Sequence, residues 1–572
     1  MNRQNQKSDV GCQKTKLKKQ RSVSVLCHLS SVTCGVILVG FSLFLWAGCE
    51  QMPAGEKYYE IKVPPEKLRD IEKLELPKAQ EGEHPDVNEA KKPPDELELT
   101  LEQCRALAME NNLDLKVQLI SPAIAAERVS EEEARFETAF FSNVNYSKSD
   151  MPSISFLDEI TGSQRDYATT DLGVQVPLRT GGTVTFDLAD RRTKTNAELL
   201  TLNPYYGSGL SASISQPLLR NAGQRTNTYA IRIAEYERQI TDARTKLEVI
   251  RVIAALDRVY WRLYAARKEL DVRKKQYELA ERLLGQAQRF VDSGQRAQIE
   301  IIRAEAGVAQ QLEAIIIAEN SLRDRQRELK RILNKEGLEM QTPTVLIPAT
   351  RPDPIRYELS KPRLAGTAIE NRMEMLELEL QIAEDISTID YMRNQTLPLV
   401  TLDYTYNISA LGQTRDDSFD LLFDKRFEDH RLGLQLLIPL GNEVAKSRLR
   451  QAFYQRRLRL ATRKNRSALI EIEVLNAVDQ LEANWQRILA SRQNAILSGR
   501  LFEAEKRQFE LGLRTSTDVL DAQTSFADAQ SAEILALAEY QIALVDLGYA
   551  TGTLLGAAKV QWEPIVPETK SK

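Results

Sequence analysis

The sequence predicts an α+β membrane protein in which two copies of one unit each combine β-strands with very long helical hairpins. Three observations lead to this fold class. The segment that begins at Ala108 reappears at Ala368, segments of strictly alternating apolar and polar residues follow each copy, and two long stretches contain no proline. A repeat of this size indicates how the whole chain is organised.

Composition excludes several classes of protein. The chain has 572 residues, of which 42% are hydrophobic and 28% charged, so it is neither disordered throughout nor a polytopic helical membrane protein. Lys and Arg total 77 against 81 Asp and Glu, without the basic excess of a nucleic-acid-binding protein. We expect no metal or cofactor site, because histidine is rare and the cysteines lack zinc-ligand spacing. The histidines are His28, His84 and His430, and the cysteines are Cys12, Cys27, Cys34, Cys49 and Cys104.

Residues 1–48 have the three parts of an export signal: a basic leader, an uncharged apolar run and small residues before Cys49. The ending Leu45–Cys49 resembles a bacterial lipoprotein signal, which predicts lipidation of Cys49. Simple cleavage and an uncleaved membrane anchor are the alternatives. Residues 49–98 are rich in Pro, Glu and Lys, and such a composition predicts a tether.

The repeat begins after this tether. Ala108–Leu115 matches Ala368–Met375 at an offset of 260, and Phe290–Arg296 has a fainter echo in Phe509–Arg514. We therefore divide the chain into a first repeat (99–345), a second repeat (346–560) and a C-terminal tail (561–572).

Each repeat opens with a helical stretch, Leu101–Phe136 or Ala365–Arg393, and continues with strands whose residues alternate between apolar and polar. One face of these strands is aliphatic or aromatic, and the other is mostly Ser, Thr, Asn, Asp and Gln. Together with an export signal, this pattern fits the wall of a membrane barrel. The apolar positions are Phe140, Val144 and Tyr146; Leu172, Val174 and Val176; Val184, Phe186 and Leu188; Leu210, Ala212 and Ile214; Leu402, Tyr404, Tyr406 and Ile408; and Leu432, Leu434, Leu436 and Ile438.

Long helices follow the strands. The sequence predicts helices over about Arg225–Phe290 and Ala445–Phe509, a glycine turn after each, and return helices over about Ala297–Asn334 and Ser516–Gly552. At about 1.5 Å per residue each first helix would be about 100 Å long, too long for a compact globular domain. Within the first of them a coiled-coil seam, interrupted at Arg273, is predicted. Its members are Leu256, Val259, Leu263, Ala266, Leu270, Tyr277, Ala280, Leu284 and Ala287.

Over roughly residues 99–560 the sequence resembles the TolC-type outer-membrane efflux proteins. The resemblance rests on Leu99–Gln103 with Ala108–Asn112, on Gln216–Arg220 with its echo Ile438–Leu440, and above all on Gly512–Ala522. It implies a homotrimer whose strands close one barrel in outer-membrane lipid and whose helices form a periplasmic α-barrel. It also implies an exit duct of a tripartite efflux pump or type I secretion system, which docks a periplasmic adaptor protein and an inner-membrane transporter.

The resemblance also assigns residues to the lower end of the tunnel. Asp518 and Asp521 match an acidic ring at the aperture, although Asp518 also has the spacing of a helix cap after Thr515. Arg514 and Glu300 match residues that hold the aperture closed, and we expect them to pair. Phe509 replaces a family tyrosine. Adaptor docking is assigned to the turns that contain Gly294, Arg296 and Gly512.

One departure from the family concerns the strands. The family contributes two per repeat, whereas the first repeat has four candidates. The hairpin around Leu172–Leu188 is either extra barrel wall or an extracellular extension, and we favour the extension.

Two other functions were weighed against an export duct. A periplasmic adaptor or scaffold lipoprotein would share the signal and the hairpins but not the duplicated strands. An enzyme is disfavoured because Gly207–Gly209 lacks the third glycine of a phosphate-binding loop and lies among strands.

Overall fold

The computed structural model describes residues 96–152, 160, 162–197 and 199–560. The predicted export signal, Cys49 and the C-terminal tail lie outside the described residues. Of the predicted tether only residues 96–98 are described, and these form the start of a strand rather than tether.

The first repeat contains the predicted series of helix, strands, long helix and return helix. Its elements are β1 (Glu96–Leu99), α1 (Leu101–Asn111), α2 (Leu113–Ala134), β2 (Ala139–Asp150), β3 (Gln164–Pro177), β4 (Thr183–Thr195), β5 (Tyr205–Pro217), α3 (Gln224–Asn227), α4 (Tyr229–Asp292) and α5 (Ile299–Leu333).

The second repeat follows the same order with fewer strands. Its elements are β6 (Val345–Pro348), α6 (Lys361–Asn371), α7 (Met373–Gln395), β7 (Leu399–Gly412), α8 (Arg415–Phe423), β8 (Glu428–Leu437), α9 (Glu443–Glu510), α10 (Ser516–Ala550) and α11 (Leu554–Ala557). The predicted mixture of long helices and strands is confirmed.

Two sheets organise the strands. β1 pairs in parallel with β6 and so joins the starts of the two repeats. The other six strands form one antiparallel sheet in the order β2-β3-β4-β5-β7-β8. The strands β3 and β4, which contain the hairpin around Leu172–Leu188, are therefore interior members of this sheet. The extracellular extension that we favoured is wrong, because β2 pairs with β3 rather than with β5.

The polarity of this sheet is the reverse of that in a soluble protein. Away from α8 its apolar face is exposed even on interior strands, with Phe186 51% and Tyr404 39% accessible. On the opposite face polar residues are covered, and Thr169 and Thr193 are only 8% and 3% accessible. Phe141 lies over Gly173 on this face, where a Cβ would come within 2.2 Å of the ring. The more covered side of the sheet is therefore the polar one.

A short helix between β7 and β8 was missed by sequence analysis. α8 packs on the apolar face of the sheet near Ile408 and Ala410, and Ser418 Oγ contacts Ser208 Oγ at 2.8 Å. Thr414 and Asp417 form a capping box at its start, a spacing that could have revealed the helix.

The long helices have the predicted extents. α4 has 64 residues and α9 has 68, which at about 1.5 Å per residue gives each a length of about 100 Å. α4 packs against α5, α9 packs against α10, and α4 also contacts α10. No helix in the described part of the chain is both long and apolar enough to cross a membrane.

Burial along α4 follows the predicted seam up to Arg273 and only in part beyond it. Leu256, Leu263 and Leu270 are buried, as predicted. Beyond Arg273, Ala280 and Ala287 are buried as predicted, but Gln276 and Leu283 are buried in place of Tyr277 and Leu284. The side chain of Arg273 pairs with Asp528 on α10 at 3.2 Å, and this contact accompanies the change of the buried face.

Candidate gate at the tip of the helical hairpins

Two glycine turns form the tip of the hairpins. Gly294 and Gly512 have φ angles of +72° and +81°, in the left-handed region that glycine adopts without steric cost. In each turn the next amide N–H donates back to a helix carbonyl, from Gln295 to Phe290 and from Leu513 to Gln508, both at 2.9 Å. The turns therefore correspond at their glycines. Phe290 is equivalent to Gln508, so the echo that matched it to Phe509 was one residue out of register.

An aromatic contact links the two turns. Phe509 is fully buried, and its ring centroid lies 5.8 Å from that of Phe290. The Arg296 guanidinium stands 5.3 Å from the centroid of the Phe509 ring, and Arg296 Nη2 donates to the Arg514 carbonyl at 2.7 Å. Arg296, which sequence analysis assigned to a docking turn, thus fastens one turn to the other.

Glu300 joins the two hairpins from the start of α5. Its carboxylate accepts the backbone N–H of Ser516 at 2.8 Å and the Arg303 guanidinium at 2.8 Å, and the residue is 5% accessible. Burial by itself would raise the pKa of Glu300. The hydrogen bonds from Ser516 and the charge of Arg303 outweigh it and hold the pKa below its ordinary value of 4.5.

The predicted ion pair between Arg514 and Glu300 is wrong. Arg514 Nε lies 3.1 Å from Glu505 Oε2 and donates to Gln508 Oε1 at 3.1 Å, both on its own hairpin. Glu300 is already occupied by Ser516 and Arg303. Arg514 and Glu300 thus each have a charged partner nearby, and Glu300 is one of the contacts that bridge the two hairpins.

The two acidic candidates differ in their surroundings. Asp518 caps α10: its Oδ2 accepts the Thr515 N–H at 2.9 Å and the Thr515 hydroxyl at 2.8 Å. These bonds hold the pKa of Asp518 below its ordinary value, so the carboxylate stays charged. Asp521, one turn later, is exposed and makes no hydrogen bond or ion pair within the described part of the chain. Asp518 is therefore held by its cap, whereas the Asp521 carboxylate is exposed one turn along the same helix.

Sequence analysis missed Arg303, Glu505 and Gly307. The spacing of Glu300 and Arg303 on one helix could have indicated their pairing. Gly307, on α5, gave no signal in the sequence. Its absent side chain leaves room for Leu520 of α10, whose Cδ2 would lie 2.5 Å from a Cβ at this position.

Gly307 provides a test of this packing. We expect Gly307→Ala to destabilise the tip by about 1–3 kcal/mol, because the added methyl group forces α5 and α10 apart. Gly285→Ala is the matched control: a Cβ there meets only Arg289 Nη1 at 3.9 Å, so the better helix former should stabilise α4 by about 0.5–1 kcal/mol. The measurement is the apparent melting temperature of each purified variant. Equal shifts in both variants would contradict the close packing.

Known proteins provide an independent comparison. The sequence model of the outer membrane efflux protein family matches residues 364–553, which lie in the second repeat. "Outer membrane protein TolC" from Vibrio cholerae is 24% identical over 339 residues, covering 58% of this chain and 74% of its own. The predicted resemblance to the TolC-type efflux proteins is confirmed. The predicted location, the cell outer membrane with most of the mass in the periplasm, is confirmed with it.

Solved structures show that the TolC-type resemblance extends to the fold. A membrane protein from Pseudomonas aeruginosa has a TM-score of 0.60 at 16% identity, covering 79% of this chain and 90% of its own. The outer membrane protein VceC from Vibrio cholerae has a TM-score of 0.57 at 14% identity, covering 79% and 96%. Efflux proteins of this type are channels, in agreement with the prediction that the chain is not an enzyme.

Proposed function

We propose that this chain is the outer-membrane exit duct of a tripartite efflux pump or a type I secretion system. Three copies form one channel, with the six-stranded sheets closing a barrel in the membrane and the long hairpins forming a periplasmic tunnel. The observation that carries this proposal is the reversed polarity of the sheet. An exposed apolar face opposite a covered polar face suits strands with lipid outside and water inside.

The second function, a periplasmic adaptor or scaffold lipoprotein, accounts for the hairpins alone. An adaptor in water would leave the apolar face of the sheet exposed without a partner. Such a face on a soluble monomer is an aggregation liability. The sheet therefore favours the channel.

The tip of the hairpins is the proposed gate. Three copies would place three Asp518 and three Asp521 side chains around the axis of the tunnel. A ring of ionised carboxylates attracts cations and holds them in a narrow pore. Glu300 and Arg296, which fasten the two turns within each copy, would keep this aperture narrow. The turns at Gly294 and Gly512 are the proposed contacts for the adaptor protein, which in turn recruits the inner-membrane transporter.

Single-channel conductance in planar bilayers tests the proposed duct and its gate. We expect small, cation-selective events that multivalent cations block, because charged carboxylates line the aperture. In the double variant Asp518→Ala/Asp521→Ala both the selectivity and the block should be lost. Asp528→Ala, farther along α10, is the control and should leave both unchanged.

Two results would contradict the proposal. A protein that gives no conductance and does not insert into bilayers would favour the scaffold. A conducting protein whose block persists in the double variant would retain the duct and exclude the acidic ring.

Cys49 is proposed as the lipidated first residue of the mature chain. A mature protein whose mass corresponds to residues 49–572 plus a lipid anchor is the expected result. Cys49→Ser should remove the added mass, whereas an unchanged mass spectrum would exclude lipidation at this position.

A further inference from the structure

The strands β3 and β4 pair with their neighbours in the sheet along their whole length. β3 pairs with β2 from Asp150↔Gln164 to Ala139↔Gln175, and with β4 from Arg165↔Thr195 to Pro177↔Thr183. β4 continues this ladder to β5. Neither strand projects beyond its neighbours.

The alternation of apolar and polar residues runs through β4, β5 and β7 without a shift, so each face of the sheet keeps its character across the inserted strands. In one cross-strand row the apolar Phe186 lies beside Ala212, and Ala212 lies beside Tyr406. In the next row Asp187 lies beside Ser211, and Ser211 beside Asn407. β4 therefore presents apolar residues to the exposed face and polar residues to the covered face, as β7 does.

The turn between β3 and β4 lies at the end of the sheet where the strands join the helices, and hydrogen bonds hold it there. The Gly223 N–H, just after β5, donates to the Thr180 carbonyl at 3.0 Å, and Thr180 Oγ1 donates to Gln216 Oε1 at 2.9 Å. The Arg179 guanidinium lies 5.9 Å from the ring of Phe136, just before β2. An extracellular extension would have its lower turn far from these junctions. The hairpin instead begins at the helical end of the sheet.

The two edges of the sheet suit closure with another copy. Alternation across six strands leaves β2 and β8 running in opposite directions. The β8 edge of one copy can thus pair in antiparallel fashion with the β2 edge of the next. Both edge strands carry their exposed apolar residues, Val144 and Leu432, on the same face of the sheet. Pairing would bury two open edges that are otherwise a liability.

We propose that three copies close an eighteen-stranded barrel, in which β3 and β4 widen the outer pore beyond that of a channel with four strands per copy. This inference rests on the proposed function, since it requires a trimer in the outer membrane. Barrel diameter grows roughly in proportion to strand number, so eighteen strands give a diameter about half again that of twelve. Barrels of about this size enclose an open aqueous channel. The narrowest point of the duct then lies at the periplasmic tip.

Cysteine labelling at matched depths tests the hairpin. Phe186→Cys and Asp187→Cys probe β4, and Tyr406→Cys and Asn407→Cys probe β7 in the same two rows. Trimers in lipid vesicles are treated with a membrane-impermeant maleimide. We expect Asp187→Cys and Asn407→Cys to be labelled because they face water. Phe186→Cys and Tyr406→Cys, which face lipid, should not be labelled. The unsubstituted chain supplies the background from its own cysteines.

The outcomes separate the two proposals. Alternation in β7 but labelling of both β4 positions would overturn the eighteen-stranded barrel and leave the channel intact. No alternation in either strand would overturn the channel itself.

Counting strands in electron-microscopy images of the trimer is the second measurement. The full chain should show eighteen, and a ring of twelve would overturn the inference. Deletion of residues 164–195 should reduce the count to twelve, since β2 and β5 then remain antiparallel and in phase. Should the deletion variant fail to insert, the count for the full chain decides alone.

Discussion

Glu300→Ala is expected to open the tip of the hairpins and raise the time-averaged conductance of the proposed channel. The Glu300 carboxylate accepts the Ser516 N–H at the start of α10 and the Arg303 guanidinium, so it fastens the two hairpins at a buried position. A hydrogen bond to a charged group contributes about 1.5–3 kcal/mol. Its removal should shift the closed-to-open equilibrium by about tenfold to a hundredfold. The measurement is the open probability in planar bilayers.

Two matched variants define what the Glu300 contact contributes. Glu300→Gln keeps an oxygen that can accept the Ser516 N–H but loses the charge, so it should give an intermediate open probability. Glu305→Ala removes an exposed glutamate from the same helix and should behave as the unsubstituted channel. If Glu300→Ala matched Glu305→Ala, the tip would be held closed by other contacts.

The pKa of Glu300 predicts a pH dependence for the proposed gate. Because that pKa is lower in the folded tip than its ordinary value of 4.5, the stabilisation is complete above pH 4.5. It is lost as the pH falls through the folded-state pKa, where the carboxylate takes up a proton. Open probability should therefore rise in that acid range, and the rise should be absent in Glu300→Gln.

The sequence predicted local structure better than the pairing of distant residues. Helices such as Tyr229–Asp292 follow from the absence of proline and the scarcity of glycine over many turns, and the reversals at Gly294 and Gly512 follow from a residue that tolerates positive φ. These features depend on residues close together in the chain. A pattern of this kind can be recognised without knowing what packs against it.

The errors concern contacts between distant residues. Arg514 could reach several carboxylates, and the geometry of its turn selects Glu505 over Glu300. The place of β3 and β4 was equally open, because alternation shows which face of a strand is apolar but not which strand lies beside it. Only the ladder between β2 and β3 resolves that question.

The largest loss of stability is expected for Arg105→Ala, in the first repeat. Arg105 Nε and Nη2 donate to the two carboxylate oxygens of Asp257 at 3.0 and 2.7 Å, and the Asp257 side chain is fully buried. Loss of Arg105 leaves that carboxylate buried without its partner. Removing one member of a buried pair costs about 3–5 kcal/mol. The apparent melting temperature of the purified protein should fall accordingly.

Two further variants are the controls: one breaks an exposed ion pair, and the other replaces Asp257 by a neutral residue. Arg327→Ala breaks an exposed pair with Asp324 on one helix, which should contribute about 0–1 kcal/mol. Asp257→Asn in the Arg105→Ala background removes the unpaired charge and should restore part of the stability. A loss in Arg105→Ala no larger than that in Arg327→Ala would show that water reaches Asp257 and that the pair is not truly buried.

Lowering the pH should reduce the difference in stability between Arg105→Ala and the unsubstituted protein. Burial raises the pKa of Asp257 above its ordinary value of 3.8, although Arg105 acts to lower it. A carboxyl group with a raised pKa takes up a proton on folding, so its contribution to stability falls as the pH rises through the window above 3.8. Without Arg105 that pKa is higher still, and the window extends further upward. The deficit should therefore be greatest near neutral pH and shrink as the pH is lowered toward 3.8, whereas a deficit caused by lost packing alone would not change with pH.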